Sequence, residues 1–321
     1  MNILLWRVHS SWTTAFVQGP HTYLVPVTPG RDPYRPGRAR ADAWPASVRP
    51  VTPEELAATE VDLVLLQRPH EPEQAERLLG GRRPGRDLPA VYLEHDVPDG
   101  DVPRTRHPFA DRPDLTLVHV THFNRLFWDS GRTRTEVIEH GVVDPGHQYT
   151  GLLARAAVVV DEPVRHGRAL GTDLLPALAE AVPLDVFGRG TEGLATHLGL
   201  PGERCRSADL PQAELHRAMA ERRFYLHPMR WTSLGLPLVE AMHLGMPVVG
   251  LATTEVVEAV PRGAGTLSTR PDVLARTARH YLHEPEAAAV DGARARQAAL
   301  GRYGLKRFLA DWERVMREAC S

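Results

Sequence analysis

The sequence predicts an α/β protein built from two doubly wound parallel sheets, and three observations carry that expectation. Short apolar runs alternate with helix-forming segments along the chain, and no two consecutive runs are joined by a two-residue hairpin turn, so crossovers are expected to join the strands. At 321 residues there is room for two units of roughly 150 residues, each with its own core. One stretch, His227 to Gly250 (HPMRWTSLGLPLVEAMHLGMPVVG), condenses the pattern into strand end, glycine-bearing turn, helix and next strand.

Within that stretch each boundary has a cause. Phe224-Tyr225-Leu226 is an apolar run suited to a buried parallel strand, and His227-Pro228 ends it, since proline offers no ladder donor. Thr232-Ser233-Leu234-Gly235 is a small turn, and Pro237 falls in the first turn of a helix, where its fixed φ fits. Leu238, Val239, Met242 and His243 continue the helix, Gly245 closes it, and Met246 to Gly250 reads as the next strand. A helix that starts just after a glycine loop presents free N–H groups and a positive dipole end, which suits an anion. Glu240 stands one turn in, among apolar neighbours. A carboxylate there either accepts the two hydroxyls of a ribose or simply pairs with an arginine or with solvent.

Composition removes several classes of function. Lys and Arg total 38 against 40 Asp and Glu, so the chain has no basic footprint for nucleic acid and no polybasic membrane patch. Lys306 is the only lysine; abundant arginine and alanine point to a GC-rich bacterial coding sequence. Cys205 and Cys320 make neither a metal spacing nor a disulfide framework, so a reducing cytoplasm is expected. The start, MNILLWRVHSS, reads as a strand and not as a signal peptide, and no apolar run nears the ~20 residues that span a bilayer.

In order, strands are expected at Met1–Val8, Thr22–Val27, Val61–Leu66, Pro89–Leu93 and Leu115–Val120, with a loop from His9 to Thr14. Arg31 to Pro53, rich in Pro, Arg and Asp, reads as a long irregular excursion. Helices are expected at about Pro72–Leu79 and around Phe123–Trp128, and a last strand of the first unit at Val137–Asp144. Pro145 to Gly151 reads as the linker. Beyond it come strands at Ala156–Val160 and Leu184–Phe187, and helices at Asp173–Ala181, Gln212–Ala220 and Asp272–His283. Leu305, Phe308, Leu309, Trp312 and Met316 share one face of a terminal helix.

Gly235-Leu236-Pro237, Glu240-Ala241-Met242, Gly245 and Pro247-Val248-Val249 stand in register with the donor motif E-G-F-G-L-P-x-x-E-A-M-A-x-G-x-P-V-V. The chain therefore resembles the retaining GT-B glycosyltransferases (group 1, family-4-like) of the glycogen phosphorylase/glycosyltransferase superfamily. Thr232 stands where the first Glu of the motif belongs, and Ser233 where its first Gly belongs. The resemblance implies two Rossmann-like domains facing across a cleft: residues 1–148 on the acceptor side and 149–300 on the nucleotide-sugar side. Residues 301–321 would be a helix crossing back to the first domain. It implies transfer of a sugar from a nucleotide-diphosphate sugar to a small molecule or glycan, without metal or other cofactor. No nucleic-acid partner and no stable membrane insertion are expected.

The resemblance also assigns residues. Arg165 matches a phosphate-binding arginine, Leu170 falls at the partner lysine, and Arg168 lies near enough to supply that charge. The alternative is that both arginines merely solvate a loop, and a phosphate role for at least one is favoured. Gly188-Arg189-Gly190 matches the family's G-x-G loop, and Gly188, Thr232, Ser233, Leu234, Gly235, Leu236 and Glu240 make up the donor-binding set. His95, in Glu94-His95-Asp96 at a strand's carboxyl end, resembles the family's histidine near the transferred sugar; a structural role is as consistent with its residue type. With Arg165 and Arg168 it forms the catalytic set. Trp12, Thr13 and Arg104 are acceptor-side candidates, with packing or solvation as the alternative. An inverting GT-B enzyme or an epimerase fits the Gly-Leu-Pro-x-x-Glu-Ala-Met register less well. A non-catalytic, nucleotide-binding or scaffold member of the family is the other reading, supported by Thr232, Ser233 and Leu170.

Overall fold

The apolar runs become two parallel sheets. The structure, a computed structural model, describes residues 1–8, 10–27 and 44–321. The chain divides into one unit of Met1–Val143 with Leu305–Ser321, and a second of Asp144–Gly304.

In the first unit the elements are β1 (Asn2–Leu5), α1 (Ser10–Phe16), β2 (Thr22–Pro26), β3 (Val48–Val51), α2 (Pro53–Ala57), β4 (Leu63–Leu66), α3 (Glu71–Leu78), β5 (Ala90–Glu94), β6 (Thr116–His119), α4 (His122–Phe127) and β7 (Arg134–Val137). The strands pair in parallel in the order β3-β2-β1-β4-β5-β6-β7. Strands such as β4 are buried throughout, as a sheet covered on both faces requires.

The second unit runs β8 (Leu153–Val159), α5 (Pro163–His166), α6 (Leu175–Ala181), β9 (Leu184–Phe187), α7 (Leu194–His197), β10 (Cys205–Ala208), α8 (Gln212–Glu221), β11 (Arg222–His227), α9 (Leu236–Leu244), β12 (Val248–Leu251), α10 (Val256–Ala259), β13 (Gly265–Ser268), α11 (Pro271–His283) and α12 (Pro285–Arg302). Its strand order is β10-β9-β8-β11-β12-β13, again parallel. The last helix, α13 (Leu305–Ala319), packs in the first unit: Phe308 and Trp312 are buried there against Trp12, and Trp312 also lies edge-on to Phe16.

Several local expectations need correcting. Ser10 to Thr14 is helical, not a loop: Trp12, Ala15 and Phe16 fall on one helical face and are buried. His9, in that expected loop, lies outside the described residues, as do residues 31–43 of the expected irregular excursion. The rest of that excursion holds β3 and the start of α2. Pro50 hid the strand, yet β3 is an edge strand, where a missing amide is tolerated. The strand expected at 137–144 ends at Val137; β7 is a charged edge strand without an apolar run. Helix α12 was not anticipated. It buries Ala288, Gly292, Ala295 and Ala299, a face of small residues, and a Cβ on Gly292 would lie 2.1 Å from the Gly245 carbonyl oxygen.

Because Trp312 packs edge-on against the stacked rings of Trp12 and Phe16, Trp312→Ala is expected to cost about 3–5 kcal/mol of stability. Urea unfolding of the full chain checks this; a loss below about 1 kcal/mol would show that the helix is not part of that core.

Candidate active site

In the second unit all strands leave the sheet on one edge, and β8 lies between β9 and β11. The winding reverses there, and the loops that follow strands at such a point are where ligands of open α/β sheets bind. The loop after β8 turns at Glu162, whose φ of 51° is left-handed, and enters α5, which carries Arg165. Arg165 is exposed and makes no ion pair with any described residue. Arg168 is exposed too, but its guanidinium lies 2.9 Å from the Asp173 carboxylate. Leu170, at the position of the family's lysine, packs against the unit's apolar core.

A residue that the sequence did not single out completes this cluster. The guanidinium of Arg230, on the loop after β11, donates to both Asp173 oxygens at 2.5 and 2.9 Å and to the Arg168 carbonyl at 2.8 Å. The amides of Arg230 and Trp231 donate to the Ala169 carbonyl at 2.8 and 3.1 Å. Gly171, at φ 74°, permits the approach, since a Cβ there would lie 2.0 Å from the Pro228 carbonyl oxygen. The hydrogen bond from Arg230, with the Arg168 charge, holds the Asp173 carboxyl below its ordinary range. A lone arginine between a methionine and a tryptophan has no spacing to betray this role.

The turn after β11 delivers Thr232, Ser233, Leu234 and Gly235 to the start of α9. Ser233 and Leu234 are buried, while Thr232, Gly235 and Leu236 are part-exposed. No side chain caps α9, and Gly245 ends it in a left-handed conformation. The first turn thus keeps an uncapped, positive end. Gly188, after β9, comes so close to β8 that a Cβ would meet the Val160 carbonyl oxygen at 2.2 Å, so only glycine fits that turn. Beneath Gly235 lies His227, fully buried with neither ring nitrogen hydrogen-bonded; its Cε1 would be 3.6 Å from a Cβ on Gly235. Burial pushes this imidazole down to about 4.

Glu240 is 3% exposed, on the same helix. Its Oε2 accepts from Gln212 Nε2 at 3.0 Å and lies 3.4 Å from His216 Nε2, both on α8. Arg165, Arg168, Gly188, the 232–236 turn and Glu240 therefore all belong to one unit, on strand-end loops and the helices that flank them.

His95 belongs to the other unit, just after β5. It is 7% exposed, its Nε2 lies 2.9 Å from Gln67 Oε1, and its carbonyl accepts from Asn124 Nδ2 at 3.3 Å. Gln67 Nε2 donates to the Trp6 carbonyl at 2.8 Å, which orients the amide, so His95 carries its proton on Nε2. Behind Gln67 the buried Glu71 accepts from the amides of Gln67 and Arg68, and burial pushes its carboxyl up to about 7. The acceptor-side contacts expected of Trp12 and Thr13 are not available, because both are fully buried, with Trp12 edge-on to His95. Arg104 is exposed and 3.5 Å from Asp101. Among the described residues, no three His, Cys, Asp or Glu side chains gather as a metal site.

With this geometry in place, comparison with known proteins can be set beside it. Residues 173–298, which include the α9 turn and Glu240, match the family model described as "Glycosyl transferases group 1". The whole chain has the GT-B fold, as solved structures of low identity show. Sucrose-phosphate synthase from Thermosynechococcus elongatus aligns with a TM-score of 0.74 at 15% identity, over 99% of this chain and 98% of that one. HepE of Anabaena, in complex with UDP and glucose, aligns with 0.71 at 17%, over 99% and 100%. A glycosyltransferase from Rickettsia africae gives 0.69 at 11%, over 99% and 98%. No curated protein matches the chain by sequence.

The buried imidazole of His227 makes a pH prediction. Its folded value lies below its ordinary 6.5, so the unfolded chain binds the proton more tightly. The stability this neutral ring contributes is complete above about pH 6.5 and lost as pH falls toward about 4, roughly 3 kcal/mol in all at about 1.4 kcal/mol per unit. His227→Phe should flatten that limb of the stability curve; an unchanged slope between pH 6.5 and 4 would assign the acid sensitivity elsewhere.

Proposed function

We propose that the protein is a metal-independent, retaining glycosyltransferase that moves a sugar from a nucleotide-diphosphate sugar to a small-molecule or glycan acceptor in the cytoplasm. The observation that carries the reading is that one unit holds, on loops and helices after its parallel strands, an arginine with no ion pair among the described residues, an uncapped helix start and a buried carboxylate. Arg165 and the start of α9 supply positive potential to the departing diphosphate, with Arg168 beside them. Glu240 accepts the ribose hydroxyls. The bond from the sugar's anomeric carbon to the diphosphate oxygen breaks as the bond to the acceptor oxygen forms. The acceptor's proton passes to the leaving phosphate, so no protein base is required. His95 is assigned to sugar orientation and charge stabilisation. HepE's complex with UDP makes uridine diphosphate sugars the first donors to test.

Thr232 gives the reading its particular form. A threonine is shorter than glutamate, neutral, and both donates and accepts, so the site suits a sugar with a missing or altered hydroxyl, such as a deoxy or amino sugar. The same residue, with Leu170 in the core in place of a lysine, favours the second reading, a nucleotide-binding member that no longer transfers. Turnover separates the two.

Glu240→Gln is expected to weaken nucleoside diphosphate binding by about 1–3 kcal/mol by calorimetry, and unchanged affinity in a folded variant removes the ribose role. Arg165→Ala with Arg168→Ala should abolish transfer while nucleoside monophosphate still binds. Chelator should leave the wild type active; strict dependence on Mg²⁺ or Mn²⁺ would overturn the metal-free mechanism. Thr232→Glu should lower activity on the natural donor or shift it toward ordinary hexoses. No turnover with any donor, in either form, would favour the binding protein.

A further inference from the structure

The pair Gln212 and His216 on α8 has no part in the reading so far, yet both approach the one carboxylate on which that reading depends. Glu240 sits among the buried Leu238, Val239, Ala241 and Met242, where an ionised carboxylate is costly unless donors reach it. Two side chains of α8 reach the same oxygen: Gln212 Nε2 donates at 3.0 Å, and His216 Nε2 lies 3.4 Å from Oε2. Gln212 Nε2 also lies 2.7 Å from His216 Nε2.

Proton counting fixes the arrangement. One amide nitrogen carries two hydrogens, so Gln212 donates one to Glu240 and the other to His216. His216 Nε2 is then an acceptor without a proton, and the imidazole does not compete for the carboxylate. Anchoring Oε2 in this way sets the plane of the carboxylate and the direction of its second oxygen.

We infer that Gln212 and His216 are positioning residues for ribose recognition: the amide bridge aims Glu240 so that it reads the 2′- and 3′-hydroxyls of the nucleoside diphosphate. The inference rests on the assignment of Glu240 to the ribose. It makes Gln212, near the first turn of α8, a determinant of selectivity for ribose over deoxyribose. A residue that merely stabilised the fold would alter affinity for both nucleotides alike.

The test measures calorimetric dissociation constants for UDP, ADP and GDP, each beside its 2′,3′-dideoxy counterpart, on the full chain. The wild type should prefer the ribonucleotide that it binds best by about tenfold or more over its dideoxy form. Gln212→Leu, at an exposed position where folding is not at stake, should cut that ratio to within about threefold, and Gln212→Asn should restore part of it. His216→Phe should narrow the ratio similarly. A ratio that stays at the wild-type value in both Gln212→Leu and His216→Phe overturns the positioning role while leaving Glu240 in place. A wild type that binds the paired nucleotides equally, or a Glu240→Gln variant that keeps full discrimination, overturns the ribose assignment itself.

Discussion

The chemistry of the second unit depends on the parallel ladder between β8 and β11, in which Phe224 faces Ala156 and Tyr225 faces Ala157. These strands are neighbours in the sheet but far apart in the chain, with β9 and β10 between them. Their adjacency brings two unrelated loops to one edge, one carrying Arg165 and Arg168, the other Arg230 and the α9 turn. The loops are then joined by main-chain hydrogen bonds to Ala169 and by the Asp173 carboxylate. Without Gly171 the second loop could not come close enough for those bonds.

That joint also sorts the positive charges. Asp173 takes two guanidinium groups, so Arg168 and Arg230 are partly neutralised and held, while Arg165 makes no ion pair with any described residue. The geometry thus separates three arginines that look interchangeable in the sequence. Arg165 is exposed and unshared among the described residues, Arg168 shares a carboxylate, and Arg230 ties two loops together. In the first unit a comparable hierarchy runs from Glu71 through Gln67 to His95, where a buried carboxylate fixes a turn, the turn places an amide, and the amide selects a tautomer.

Much of this was legible because the helix α9 segment carries its own punctuation: Pro237 at the start, Gly245 at the end and an apolar interior broken only by Glu240 and His243. Buried strands such as β4 and β9 announced themselves as apolar runs. What escaped notice lay at edges and on small-residue surfaces. Strands β3 and β7 contain proline or alternating charge, and α12 buries only alanine and glycine, so no apolar stripe marked it. Trp12 misled for a different reason. Its place after the first strand fits a ligand contact, but a large ring at helical spacing from Phe16 was drawn into the core by α13, which is almost three hundred residues away in sequence. Arg230 and the Gln212–His216 pair were invisible because their roles arise from contacts between segments and not from any spacing within one.

The small-residue face of α12 has a consequence for how this site would drift over many generations. Gly292 abuts the carbonyl of Gly245, the residue that closes α9, with no space for a methyl group between the two backbones. Helix α12 therefore acts as an end stop for the helix that bears Glu240. Any lineage that enlarges this position must part the two helices, and a displaced α9 would carry the Glu240 carboxylate away from Gln212 and His216. A contact between two backbones thus constrains a carboxylate that neither of them touches.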